Sequence, residues 1–149
     1  MKPLLILIFI SFMACLIACN PHNEQDSLTE SDTTQIVQVL LTTPILEKYL
    51  SSFQDKQLKI VQNQTISKQY NIYKNGKLVV LSQVDSTDEQ LLNPYKPAFF
   101  LEVTKIQFLT PNQAKVFMIF KGTGLTLSAD LQKEKNNSWS IISSAIGFI

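Results

Sequence analysis

FFLEVTKIQFLTPNQAKVFMIFKGTGLTLSADLQKEKNNSWSIISSAIGFI, residues 99 to 149, decides the fold of this chain. Its apolar residues recur at every second position, the period of a strand with one buried face. Turn-forming residues cut it three times, at Pro111-Asn112, Gly122-Thr123-Gly124 and Asn136-Asn137. Four antiparallel strands are predicted, over roughly 98 to 109, 113 to 121, 125 to 134 and 138 to 147. In the third, Leu125, Leu127, Ala129 and Leu131 share one face while Thr126, Ser128, Asp130 and Gln132 share the other, so one side is dry and one wet. In the first, the apolar set Phe99, Leu101 and Val103 changes phase to Ile106 and Phe108, which predicts a bulge near Thr104 that bends the strand. VFMIF, 116 to 120, is apolar at every position and is placed in the middle of the sheet.

Upstream the period changes. In DTTQIVQVLLTT, 32 to 43, Asp32 and Gln35 have the spacing of a capping box, and Ile36, Val37, Val39, Leu40 and Leu41 form one apolar face of a helix. Thr43 before Pro44 starts a second helix running to about Phe53, with Ile45, Leu46, Tyr49, Leu50 and Phe53 on one stripe turned to a sheet. LKIVQNQTI, 58 to 66, reads equally as a strand or as an irregular approach to one. In QYNIYKNGKLVVLSQV, 69 to 84, Asn75-Gly76 supplies the positive-φ pair of a tight hairpin turn. Ser86 and Glu89 then cap a short helix, DSTDEQLL, that stops before Asn93-Pro94.

The order helix, helix, hairpin, short helix and antiparallel meander with a bent first strand resembles the nuclear-transport-factor-like (NTF2-like) fold, a cone of curved sheet closed by helices. Trp139, near the start of the last strand, is similar to a tryptophan often found there. A cystatin-like helix-on-sheet arrangement is the near alternative. The fold class expected is therefore α+β, with N-terminal helices packed on a curved antiparallel sheet. It forms a single domain over 32 to 149, after a leader at 1 to 18 and an acidic tether at 19 to 31. The resemblance also implies an apolar pocket and, in enzymatic members, a carboxylate inside it.

The leader, MKPLLILIFISFMACLIA, has Lys2 beside the amino terminus and then an apolar run broken only by Ser11. This is the charged and apolar pair of regions of a secretory signal, short of the roughly 20 apolar residues of a membrane-spanning helix. A cut after Ala18 would place the large Leu16 where an ordinary signal site needs a small residue. Leu16-Ile17-Ala18-Cys19 resembles the bacterial lipobox. That resemblance implies diacylglycerol on the sulfur of Cys19, removal of the signal before it, and a lipid anchor in the cell envelope. Cys15, preceded by Phe12-Met13-Ala14, is a poorer match, and a Cys15 to Cys19 disulfide would need both residues in one mature chain. Asn20, where an Asp would retain an inner-membrane lipoprotein, points the resemblance toward the outer membrane.

Absence of residue types narrows the chemistry. Beyond Cys19 there is no cysteine, and the one histidine, His22, lies in the tether, so thiol or imidazole catalysis and the usual zinc sites have no residues in the domain. The basic residues, 13 in all, are lysines. Without arginine there is no bidentate capture of phosphate, and the near-zero net charge gives no nucleic-acid footprint. No cofactor and no metal are expected. Asp85, Asp88 and Glu89 cluster without the spacing of a calcium loop, and they suit a helix N-terminus. The sequons at Asn63 and Asn136 have no use in a bacterial export route.

Of the strand carboxylates, Asp130 points away from the Leu125 to Leu131 face and Glu102 shares the face of Phe100, opposite Phe99 and Leu101, so both are expected at the surface. Tyr49, Phe53, Phe99, Phe100, Phe117, Phe120 and Trp139 either pack the core or line a pocket. The sequence reading is a non-enzymatic envelope lipoprotein binding a protein partner or a small apolar ligand, an immunity-type protein being one form. The alternative is an NTF2-like enzyme working through a buried carboxylate and a tyrosine.

Overall fold

The computed structural model describes residues 29 to 54, 56 to 83, 99 to 121 and 123 to 149. The leader, Cys19, most of the tether and the short helix expected at 85 to 92 lie outside these residues. The elements are helix α1 (Glu30–Leu41), helix α2 (Pro44–Leu50) continued by a 3-10 turn (Ser51–Phe53), and eight strands: β1 (Lys59–Val61), β2 (Tyr73–Lys74), β3 (Lys77–Leu78), β4 (Val80–Ser82), β5 (Phe100–Thr110), β6 (Gln113–Lys121), β7 (Leu125–Lys133) and β8 (Trp139–Phe148).

The architecture corrects the expectation of helices packed on a curved antiparallel sheet, whether NTF2-like or cystatin-like. Among the described residues most of the ordered structure is strand, the helices number two and are short, and the main sheet is mixed, in the order β4-β1-β5-β6-β7-β8. β1 runs parallel to both neighbours, with Lys59 opposite Val80 on one side and Phe100 on the other. The strands described do not close into a barrel. The reason lies in LKIV: a three-residue strand, with Ile60 and Val61 buried, is too short to show alternation, and its parallel partners lie downstream at Val80–Ser82 and Phe100–Leu101, which local periodicity does not register.

The meander follows its pattern closely. β5 to β8 pair antiparallel in sequence order, and β5 changes register between Val103 and Lys105, the predicted bulge. Leu125, Leu127, Ala129 and Leu131 are buried together with Ala114, Val116, Met118 and Phe120 of β6. β6 is interior, as expected, but its second face is not dry: Phe117 is 39% exposed. The turn between β6 and β7 places Gly124 at φ +67, where a Cβ would lie 2.5 Å from the Ile149 carbonyl oxygen. Gly124→Ala is expected to cost about 2 kcal/mol by combining left-handed strain with that clash. A urea midpoint unchanged from wild type would contradict it.

The two helices share one apolar core with the sheet, through Ile36, Val37, Leu40, Leu41, Leu46 and Leu50. In α2 the expected stripe is only half used, since Ile45 and Tyr49 are exposed. α1 starts two residues before the expected position: Thr29 is the N-cap, its Oγ1 accepting the Asp32 N–H at 3.1 Å, so Glu30 and Ser31 belong to the helix and not to the tether.

The hairpin β2–β3 turns on Asn75 (φ 51) and Gly76 (φ 73), as the Asn-Gly signal requires. It forms its own two-stranded sheet and is fastened to α1 by side chains. The Gln38 amide donates to the Tyr73 carbonyl at 3.0 Å and accepts the Tyr73 N–H at 2.8 Å, replacing a strand partner. Lys74, 8% exposed, donates at 2.8 Å to the Leu41 carbonyl, placing its charge at the negative end of α1.

Candidate functional site

Three polar arrangements stand on this frame. The first joins α1 to β8. Asp32, in the first turn of α1, is 8% exposed, and its Oδ1 accepts the Trp139 indole N–H at 2.9 Å and the Lys133 ammonium at 2.8 Å. Its Oδ2 accepts the Thr29 hydroxyl at 2.7 Å. Burial alone would raise the Asp32 pKa, but the bonds from Lys133, Trp139 and Thr29 outweigh it and hold the carboxyl below its ordinary value. Lys133 also lies 5.7 Å from the Trp139 ring centroid, and Phe108 meets that ring edge-on at 5.6 Å. Both carboxylate oxygens of Asp32 are engaged, so it clamps α1 to Trp139 across 107 residues of sequence.

The second arrangement lies on the sheet face away from that core. Glu102 pairs with Lys121 at 2.7 Å, both side chains largely covered. Asp130, on the wet face of β7, accepts the Ser143 hydroxyl at 2.9 Å and lies 3.3 Å from the Lys115 ammonium, and these two contacts in that order depress its pKa. A shallow depression of about 350 Å³ opens here, lined by Lys115, Ser128, Asp130, Ser143 and their neighbours. No tyrosine lines it. Asp130 thus lies in an open depression without a tyrosine in its lining, and Glu102 is covered but held by Lys121.

The third is a depression of about 370 Å³ between α1 and the chain leaving β1, lined by Thr33, Gln64, Thr65, Ser67, Tyr70 and Ile106. Sequence reasoning missed it, because Gln64 and Thr65 lie in the stretch 58 to 66 that reads as either strand or irregular chain, and the other lining residues come from α1, β5 and the chain up to Tyr70. The available signal was the run QNQTISKQ, 62 to 69, rich in amides and hydroxyls immediately after a buried strand.

The aromatic residues offered as pocket lining mostly fill space. Phe53, Phe99 and Phe120 stack in a column, with centroids 5.0 and 6.2 Å apart, inside the core. Tyr49 meets Phe148 edge-on at 5.8 Å near the surface. Among the described residues no three His, Cys, Asp or Glu side chains group to hold a metal, and no helix is long and apolar enough to cross a membrane. No family model, no curated protein and no solved structure matches this chain.

Proposed function

We propose that this chain is a bacterial envelope lipoprotein, anchored through Cys19 after removal of its signal, whose domain binds a protein partner and performs no catalysis. The observation that carries the reading is Leu16-Ile17-Ala18-Cys19 at the end of an apolar leader. Two acyl chains or more on one sulfur-bearing terminus hold a protein at a membrane where a single chain does so only marginally. The spacing supports it. Thr29, which caps α1, follows Cys19 by ten residues, and ten residues span at most about 35 Å, so an anchor at Cys19 keeps the domain within that distance of the membrane.

The non-catalytic part rests on engagement: Asp32, Glu102 and Asp130 are each committed to cations or hydroxyl donors. A protein partner fits better than a small apolar ligand because the aromatic column fills the core. In addition, β8 is an outer strand of ten residues without a charged side chain, exposing Ile142 and Phe148. Charge is the usual means of keeping such an edge unpaired, and its absence suits an extended, uncharged segment of a partner added as a further strand. An immunity-type protein that caps a toxin is one form of such a binder.

Metabolic labelling with palmitate in the wild type and in Cys19→Ser tests the anchor. Label is expected in the wild type and absent from the variant. Equal label in both would remove the proposal.

A further inference from the structure

The depression beside α1 has a composition unlike the rest of the surface. Its lining holds four hydroxyl-bearing residues, Thr33, Thr65, Ser67 and Tyr70, with one amide, Gln64, one aliphatic wall, Ile106, and no charge. Thr33 and Tyr70 form its floor, 1% and 8% exposed. Among the described residues no hydrogen bond engages the Gln64 amide or the hydroxyls of Thr33, Ser67 and Tyr70, and the Thr65 hydroxyl makes only a 3.4 Å contact to the Thr104 carbonyl. No fully buried side-chain nitrogen or oxygen among the described residues lacks a partner, so these groups are open to solvent at the concavity, where they present donors and acceptors that a ligand takes over from water.

The loop that presents them is held in shape. Asn63 Oδ1 accepts the N–H groups of Thr65 and Ile66 at 2.9 and 2.8 Å, and its Nδ2 donates to the Val103 carbonyl at 2.9 Å. The Gln62 amide donates to the Ser67 carbonyl at 2.9 Å. At the rim Lys68 pairs with Glu30 at 2.7 Å, tying the loop to α1 and cancelling the charge of both. The site is thus built before any ligand arrives, which lowers the cost of binding.

We propose that this depression is a binding site for a neutral carbohydrate. A sugar offers hydroxyls that donate and accept, matching hydroxyl and amide side chains, and it presents an apolar C–H face that suits the partly buried Ile106, while the Tyr70 ring stays in the core with the Lys68 ammonium 6.0 Å from its centroid. Anionic ligands have no free cation to meet in the lining, and an apolar ligand would leave the polar groups unpaired. The volume lies at the low end for small-molecule sites, suiting one to three sugar units, on the order of 300 Å³ upward. The site rests on the reading that the domain binds rather than catalyses, and it depends neither on the lipid anchor nor on β8.

The test is saturation-transfer NMR on the full-length protein in detergent micelles with maltotriose, cellotriose and triacetylchitotriose, and a sulfated disaccharide as the charged control. At least one neutral trisaccharide is expected to receive saturation, with affinity reduced at least fivefold in Gln64→Ala and in Tyr70→Phe. Gln64 is exposed and Tyr70→Phe keeps the ring, so thermal melts of both variants should match the wild type. No transfer to any neutral probe, equal transfer in wild type and both variants, or preference for the sulfated control would each overturn the proposal. None of these outcomes touches the palmitate result, so the two readings fail separately.

Discussion

Asp32→Ala is expected to destabilise the domain by about 3 kcal/mol, lowering Tm by about 10 °C. The substitution leaves the Trp139 indole N–H buried without its acceptor and the Lys133 ammonium without its counter-charge, at the only direct hydrogen bond between α1 and β8 that the described side chains provide. The cost falls at the lower end of the range for breaking a covered ion pair because the Lys133 side chain is 21% exposed. Asp32→Asn keeps an acceptor for Trp139 and should cost about half as much. Equal melting of wild type and Asp32→Ala would show that the clamp holds nothing.

The same carboxylate makes stability pH-dependent. Its folded pKa lies below the unfolded value, so protons bind the unfolded chain more readily. The contribution is fully present above the unfolded value of about 3.9 and is lost as pH falls through the lower, folded one. Urea midpoints measured from pH 6 downward should therefore decline, and Asp32→Asn should flatten the decline without abolishing it. Asp130, depressed by Ser143 and Lys115, acts in the same direction.

Phe120→Ala is expected to cost about 4 kcal/mol. Phe120 is fully buried on the central strand β6, and its ring stacks 6.2 Å from Phe99, which stacks 5.0 Å from Phe53. That column joins the turn after α2 to the entry of β5 and the middle of the sheet. Phe117→Ala, on the same strand but 39% exposed, should cost less than about 1 kcal/mol. Comparable urea midpoint shifts in the two variants would mean that the faces of β6 are assigned wrongly.

The contrast between those two phenylalanines shows what was legible in the sequence. From residue 100 onward the strands pair antiparallel in sequence order, so faces follow a period of two, and even the bulge near Thr104 is visible as a phase change. Between Gln57 and Leu81 other rules operate. Side-chain amides replace strand partners: Gln57 donates to the Leu78 carbonyl, Gln69 to the Tyr70 and Val79 carbonyls, and the Leu81 N–H is received by Gln69. Bonds of this kind leave no periodic trace, which is why 58 to 66 reads as either strand or irregular chain and nothing local shows the parallel pairing of β1 or the mixed sheet. Asp32 was recognised as a helix-start residue, but its partner Trp139 is 107 positions away and no local signal links them. The carbohydrate site is hidden for the same reason as β1, because its walls are built from the amide- and hydroxyl-rich loop that follows that strand.

Cys19 lies outside the described residues and is read from four letters alone, so the central claim is best examined at the protein's own amino terminus. Intact-mass spectrometry of the protein purified from membranes of its native host measures it directly. The account predicts a chain starting at Cys19 and heavier than its polypeptide by a diacylglycerol, with or without a further acyl group. A chain starting at an unmodified Met1 would contradict it.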